Sequence, residues 1–177
     1  MQKKIRHMII RKEKESDYSQ IHDLVKTAFK TAKVSDGNEQ EFVNKLRSGG
    51  NYIPELALVV EADDKLIGHI MLTKFCITDG EKKYDTLLLG PVCVALEFRN
   101  SGVGTHLIRE SFRQAREMGY TSVVLAGDPD YYSRFGFRES TVWNIKNSNG
   151  FPDKYIMACE LIPGALNGVS GFIDMLS

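Results

Sequence analysis

The segment from Tyr84 to Gly127 leaves this chain few folds to choose from. It opens on "YDTLLLGPVCVAL", almost uniformly apolar, which reads as a strand covered on both faces at the centre of a sheet. It closes on "TSVVLAG", a second buried strand. Between them Val103, Leu107, Ile108, Ser111, Phe112, Ala115 and Met118 form one apolar stripe with charges opposite, predicting a helix over 102–118 that Gly119 stops. A strand, a helix and a strand of these lengths make a right-handed crossover between parallel strands. Pro91 has no N–H to give to a ladder, so the first strand must bulge or part from a neighbour there.

The rest of the chain supplies antiparallel strands and two helices. "HMIIRK" is a short strand, and Ile21, Leu24, Val25 and Phe29 then recur at helical spacing over 16–29, with Ser16 as the expected N-cap and Asp17 in the first turn. A second helix is expected over 39–47, with Phe42, Val43 and Leu46 inward and "SGGN" ending it. "LALVVEA" and "LIGHIMLTKFCI" form a hairpin about Asp63, Asp64 and Lys65. "DPDYYSRFGF" is a short helix opened by Asp128 and Pro129 and closed at Gly136, and a last strand covers 155–161. The glycine-rich tail from Ile162 has no assignable element. At 177 residues, a single domain over 1–177 is expected.

Lysine plus arginine and aspartate plus glutamate both number 23, so no overall field recruits nucleic acid or an anionic membrane, and neither is expected as a partner. Any anion must be held locally. "MQKKIRHMII" lacks the apolar core of a signal peptide and no later run has transmembrane length, which points to the cytoplasm. Cys76, Cys93 and Cys159 fit neither a disulfide framework nor a zinc site; reduced, buried thiols and no metal are expected.

The local anion site is "EFRNSGVG", the loop at the carboxyl end of the first parallel strand. A helix starting at Gly102 presents unpaired N–H groups and the positive end of its dipole, Gly102 and Gly104 allow close approach of phosphate oxygens, and Arg99 adds a permanent cation. The Walker pattern fails because Thr105 follows Gly104 where lysine is required, and the dinucleotide spacing fails at Leu107.

With these residues in place the sequence resembles the GNAT superfamily of N-acetyltransferases. "VALEFRNSGVG" matches its Val-x-Pro-x-x-(Arg/Gln)-x-x-Gly-x-(Gly/Ala) signature at Val94, Arg99, Gly102 and Gly104, and departs from it at Leu96, where proline is common. "LIGHI", "YYSRFGF" and the order of elements agree, while "EQEFVNKLR", "GPVCV" and "ELIPGAL" look most like the YhbS-like branch. The resemblance implies an α/β (α+β) fold, a mixed and mostly antiparallel sheet with splayed parallel central strands, flanked by helices. It implies acetyl-CoA as co-substrate, with Val92, Cys93 and Val94 offering backbone groups to the pantetheine arm. Arg99, Asn100, Ser101, Gly102, Val103, Gly104 and Thr105 would hold the pyrophosphate. A homodimer is expected by family analogy alone.

Acyl transfer needs a neutral amine, a stabilised oxyanion and a proton for the thiolate. An alkylamine with a pKa near ~10.4 costs roughly 4 to 5 kcal/mol to deprotonate at pH 7. By the resemblance Tyr132 is the general acid, Tyr131 being its neighbour without that role. Asp128, Glu41 and His69 remain alternatives for the base, against plainer roles as helix cap, solvated residue and strand residue. Cys93 reads as a small buried hydrophobe. The acceptor is a small-molecule or peptide amine. A non-catalytic acyl-CoA sensor is the alternative function, and a ligand-free interaction module a weaker one.

Overall fold

The computed structural model describes residues 7–176. In chain order the elements are β1 (Met8–Lys12), α1 (Tyr18–Phe29), α2 (Glu39–Ser48), β2 (Tyr52–Ala62), β3 (Lys65–Asp79), β4 (Lys82–Leu89) and β5 (Cys93–Val94). They continue with α3 (Val103–Glu117), β6 (Ser122–Ala126), α4 (Pro129–Tyr132), β7 (Arg138–Glu139), β8 (Ile145–Asn147), β9 (Ile156–Glu160) and β10 (Gly171–Ile173). The chain divides into two compact units, one of residues 7–73 and 90–114, the other of residues 74–89 and 115–176. The basic start expected to lack a signal sequence falls largely on residues 1–6, outside the described residues.

In the first unit, β1, β2 and β3 are antiparallel neighbours and β5 pairs with β3. Asp63 and Asp64 both take positive φ, 49° and 62°, and close the β2–β3 turn with Ala62 opposite Lys65. Two consecutive left-handed residues give the mirror-image turn whose twist suits a hairpin, and aspartate tolerates it. Helix α1 buries Ile21, Val25 and Ala28, spaced as one helical face, against Val43 of α2 and Val59 and Met71 of the strands. Ser16 is not the cap expected of it: it lies inside a 3-10 turn over Glu15–Asp17, and Asp17 is the residue that reaches back, accepting Lys14 N–H at 2.9 Å. Arg11 holds the same carboxylate at 2.7 and 3.0 Å, because a charged partner outcompetes a hydroxyl for that position.

In the second unit β4 and β6 run parallel, β6 and β9 antiparallel, and β7 joins β9. The parallel ladder consists of Leu87 opposite Val123 and Leu88 opposite Val124. The apolar run 84–96 is therefore two strands, parted at Gly90–Pro91–Val92 as the proline requires. Past the break the main chain turns to β3 alone, Gly90 N–H donating to Met71 O at 2.8 Å and Ala95 N–H to Ile67 O at 2.8 Å. The tail that sequence left unassigned forms β10, parallel to β8 and antiparallel to β3 at Phe172–Thr78. Helix α3 stops as expected, with Gly119 at φ 93° and Tyr120 N–H reaching back to Ala115 O. Met118, assigned to its inner stripe, is 44% exposed, because it lies beyond the helix's last turn. Cys93 and Cys159 are buried and Cys76 only partly so. No helix among the described residues is long and apolar enough to cross a membrane.

Candidate functional site

The loop between β5 and α3 is built to present main-chain amides. A 3-10 turn over Leu96–Phe98 ends at Arg99, and Asn100 and Gly102 then take positive φ, 60° and 87°. The first α3 hydrogen bond is from His106 N–H to Gly102 O, at 3.0 Å. Among the described residues, no protein acceptor takes the N–H groups of Asn100, Ser101, Gly102, Val103, Gly104 or Thr105. These donors sit at the positive end of α3, an arrangement that can receive an anion. Gly68 of β3 brings the helix close: a Cβ there would meet Val103 Cγ1 at 2.9 Å and Leu107 Cδ1 at 3.0 Å.

Arg99 takes a different part from the one its charge suggests. Its guanidinium donates to Ala28 O at 2.7 Å and to Thr31 Oγ1 at 2.9 Å, at the carboxyl end of α1. A cation there satisfies a terminal carbonyl and the negative end of the helix dipole. The side chain thus fastens the loop to α1. Ser101 Oγ donates to Phe98 O and tightens the same turn.

Upstream, Val92 and Cys93 are buried and Val94 is half-buried. Cys93 and Val94 pair with His69 and Gly68 of β3, which is the one strand partner of β5 among the described residues. The opposite edge of β5 therefore keeps its main-chain groups for another extended chain. Burial pushes the Cys93 thiol up to about 12, so it is no nucleophile at neutral pH.

Tyr132 ends α4 in the second unit and is 8% exposed. Its ring lies edge-on to Tyr131 at 5.0 Å and to Phe137 at 5.7 Å between centroids. The absent side chain of Gly127 leaves room for it, since a Cβ there would stand 2.6 Å from Tyr132 Cε2. Burial raises the neighbouring Tyr131 phenol.

The three candidate bases separate clearly. Asp128 caps α4, accepting Asp130 N–H at 3.0 Å. Glu41 is exposed and bonded to His22 Nε2 at 3.0 Å, and that bond lowers its pKa. His69 is wholly buried, with Nε2 2.9 Å from Glu13 Oε2. Glu13 also takes Arg47 in a fork at 2.8 and 3.0 Å and the Tyr52 hydroxyl at 2.9 Å. Burial works to raise the Glu13 pKa, but the bonds from Arg47 and then His69 outweigh it and hold the carboxyl at about 2. Arg47 stacks on Tyr18 at 3.9 Å, and burial together with the Glu13 charge pushes the Tyr52 phenol up. Sequence reasoning missed Glu13, Arg47 and Tyr52, which carry no spacing pattern that joins them to His69.

Residues 9–140 match the family described as an acetyltransferase (GNAT) domain. The chain is 29% identical over 168 residues to the uncharacterized N-acetyltransferase YhbS of Escherichia coli (strain K12), spanning 94% of this chain and 95% of that protein. The crystal structure of the Escherichia coli GNAT family N-acetyltransferase YhbS in complex with CoA superposes with a TM-score of 0.84 at 26% identity, over 98% of this chain and 92% of that one. A GNAT family acetyltransferase from Brucella melitensis in complex with acetyl-CoA superposes with a TM-score of 0.70 at 33% identity, over 87% of this chain and 88% of the other.

Proposed function

The chain belongs to the GNAT acetyltransferase family, and from that premise we propose that it moves an acetyl group from acetyl-CoA to a primary amine by direct attack in a ternary complex. The observation that carries the reading is the row of amides from Asn100 to Thr105 that no acceptor takes among the described residues, following a β5 edge that no strand among them covers. In this reading the amides of Asn100, Ser101, Gly102, Val103, Gly104 and Thr105 hold the pyrophosphate, with the Thr105 hydroxyl as a further donor. Arg99 supports them by fixing the loop on α1. Val92, Cys93 and Val94 pair with the amides of the pantetheine arm. The CoA and acetyl-CoA complexes of the two structural relatives support the same co-substrate.

Calorimetry with CoA tests the loop. Arg99→Glu removes the tie to Ala28 O and sets a carboxylate beside a terminal carbonyl and the bound diphosphate. Affinity should fall at least about 10-fold, as loss of one charge-assisted hydrogen bond implies. No binding by the native protein, or equal binding by the variant, would refute the reading.

In this reading Tyr132 is the acid, since a phenol ordinarily keeps its proton at neutral pH and can give it to a departing thiolate. Tyr132→Phe keeps the ring that packs on Tyr131 and Phe137 and removes the proton. Turnover of acetyl-CoA in a thiol-release assay should drop about 100-fold while CoA affinity stays within about 2-fold. Undiminished turnover takes Tyr132 out of the mechanism, and CoA binding with no Tyr132-dependent turnover at all describes a sensor.

A further inference from the structure

We propose that His69, held by Glu13, takes the proton from the acceptor amine. The proposal rests on the acetyl-transfer reading above and deepens it, since that reading leaves the base unassigned.

The hydrogen bonds place one proton of the ring. The Glu13 carboxylate is ionised and can only accept, so the bond at 2.9 Å requires a proton on His69 Nε2. Its two oxygens already receive Arg47 twice, Tyr52 once and His69 once, so the carboxylate has no further role to fill. Nδ1 is buried and has no hydrogen-bond partner among the described residues. In the neutral ring it is a bare lone pair, and a buried acceptor of that kind calls for a bound water, an ion or a catalytic role to account for it. The network uses one nitrogen of position 69 and leaves the basic one unspent.

Position supplies the second argument. His69 lies directly across from Cys93, one strand spacing of about 4.8 Å from the segment that pairs with the pantetheine arm in the proposed function. The titratable groups of this network are Glu13 from the turn after β1, which His69 bonds, Arg47 from α2 and Tyr52 from β2, which bond Glu13 in turn, and Cys93 of β5 opposite His69. The thiol of Cys93 stays neutral, Arg47 and Glu13 cancel, and Tyr52 is engaged as a donor. None of them competes for the amine proton. Glu41 and Asp128 are already committed to His22 and to the α4 amide.

The step balances as follows. The ammonium gives one proton to Nδ1, and the resulting imidazolium stays bonded through Nε2 to the Glu13 carboxylate. The amine lone pair then forms the nitrogen–carbon bond while the carbonyl π pair moves onto oxygen. On collapse that pair returns, the carbon–sulfur bond breaks, and the thiolate takes the surplus proton of the nitrogen through the acid. His69 releases its proton to solvent, leaving amide, CoA thiol and one free proton.

The test uses His69→Gln, whose amide nitrogen stands near the position of Nε2 and keeps a donor to Glu13 while removing the basic atom. Thiol release from acetyl-CoA is followed with amines graded from alkylamines to arylamines, beside CoA calorimetry and nitrogen-15 spectra of the histidines. The native spectrum should show His69 protonated on Nε2 alone. The variant should bind CoA as the native protein does and lose about 100-fold in kcat with alkylamines. Its loss should shrink with arylamines, which are already neutral, and the acidic limb of its rate–pH profile should disappear. A proton on Nδ1 in the resting protein, an unchanged profile, or an equal loss with every amine overturns the proposal. If the native protein binds no CoA, the acetyl-transfer reading fails and this one with it; native CoA binding with a His69-independent rate removes only the base.

Discussion

Glu13→Leu is expected to destabilise the protein by about 3 to 5 kcal/mol, the usual result of removing one partner of a buried ion pair. The Arg47 side chain is 8% exposed and that of Glu13 is fully buried, so the cation left behind cannot turn to water without unpacking α2. The Tyr52 hydroxyl and His69 Nε2 lose their acceptor in the same step. A domain holds only about 5 to 15 kcal/mol in total, so the urea midpoint should move far to the left. The double variant Glu13→Leu with Arg47→Leu should be more stable than Glu13→Leu alone, since it removes the stranded charge. pH gives an independent measure of the same group. The folded carboxyl sits at about 2 against an ordinary 4.5, so its contribution is complete above the unfolded value and vanishes as pH falls through the folded one. The difference corresponds to about 3 kcal/mol, present at neutral pH and lost between roughly 4.5 and 2. A Glu13→Leu stability curve as steep as the native one in that window would show that Glu13 is not the group responsible.

How much of this was legible in the sequence follows from the range of each interaction. The Asp63–Asp64 turn, the stop at Gly119, the break at Pro91 and the glycine loop before α3 are decided by dihedral preference within a few residues, and all four are found where sequence places them. The GNAT family was legible for the same reason, since its signature is one contiguous loop. The Glu13 network joins residues 34 to 56 apart in the chain. Glu13 itself stands in "RKEKES", where every charge reads as solvated, and only the closing of α2 on the sheet turns one of them inward. Arg99 shows the limit in another form. Its identity announced a cation beside the glycine loop, but the C-terminal carbonyl it binds on α1 is 71 residues away and has no sequence signature. Ser16 lost its expected place to Asp17 because Arg11, paired through β1, made the carboxylate the better turn acceptor. Strands of two or three residues such as β7, β8 and β10 are set by pairing alone, so no periodicity could reveal them.

Gly102→Val should abolish most CoA affinity through backbone strain, and a matched control separates this from a general loss of stability. Gly102 has φ 87°, a region that a β-branched residue avoids, while the space around its missing Cβ is open, His106 Cδ2 at 4.0 Å being the nearest atom. The cost is therefore conformational, about 1 to 3 kcal/mol. A free loop can relax this strain by rotating the peptides on either side, which turns the Ser101, Gly102 and Val103 amides away from a common point. Binding a diphosphate must then restore the strained geometry, and affinity falls by roughly 5- to 150-fold. Gly119 is the control: its φ is 93° and nothing lies within 4 Å of its Cβ position, but it closes the far end of α3. Gly119→Val should cost comparable thermal stability and leave CoA affinity unchanged in calorimetry. Equal loss of affinity in both variants would mean that the effect passes through the helix as a whole and that the amides before α3 do not hold the ligand.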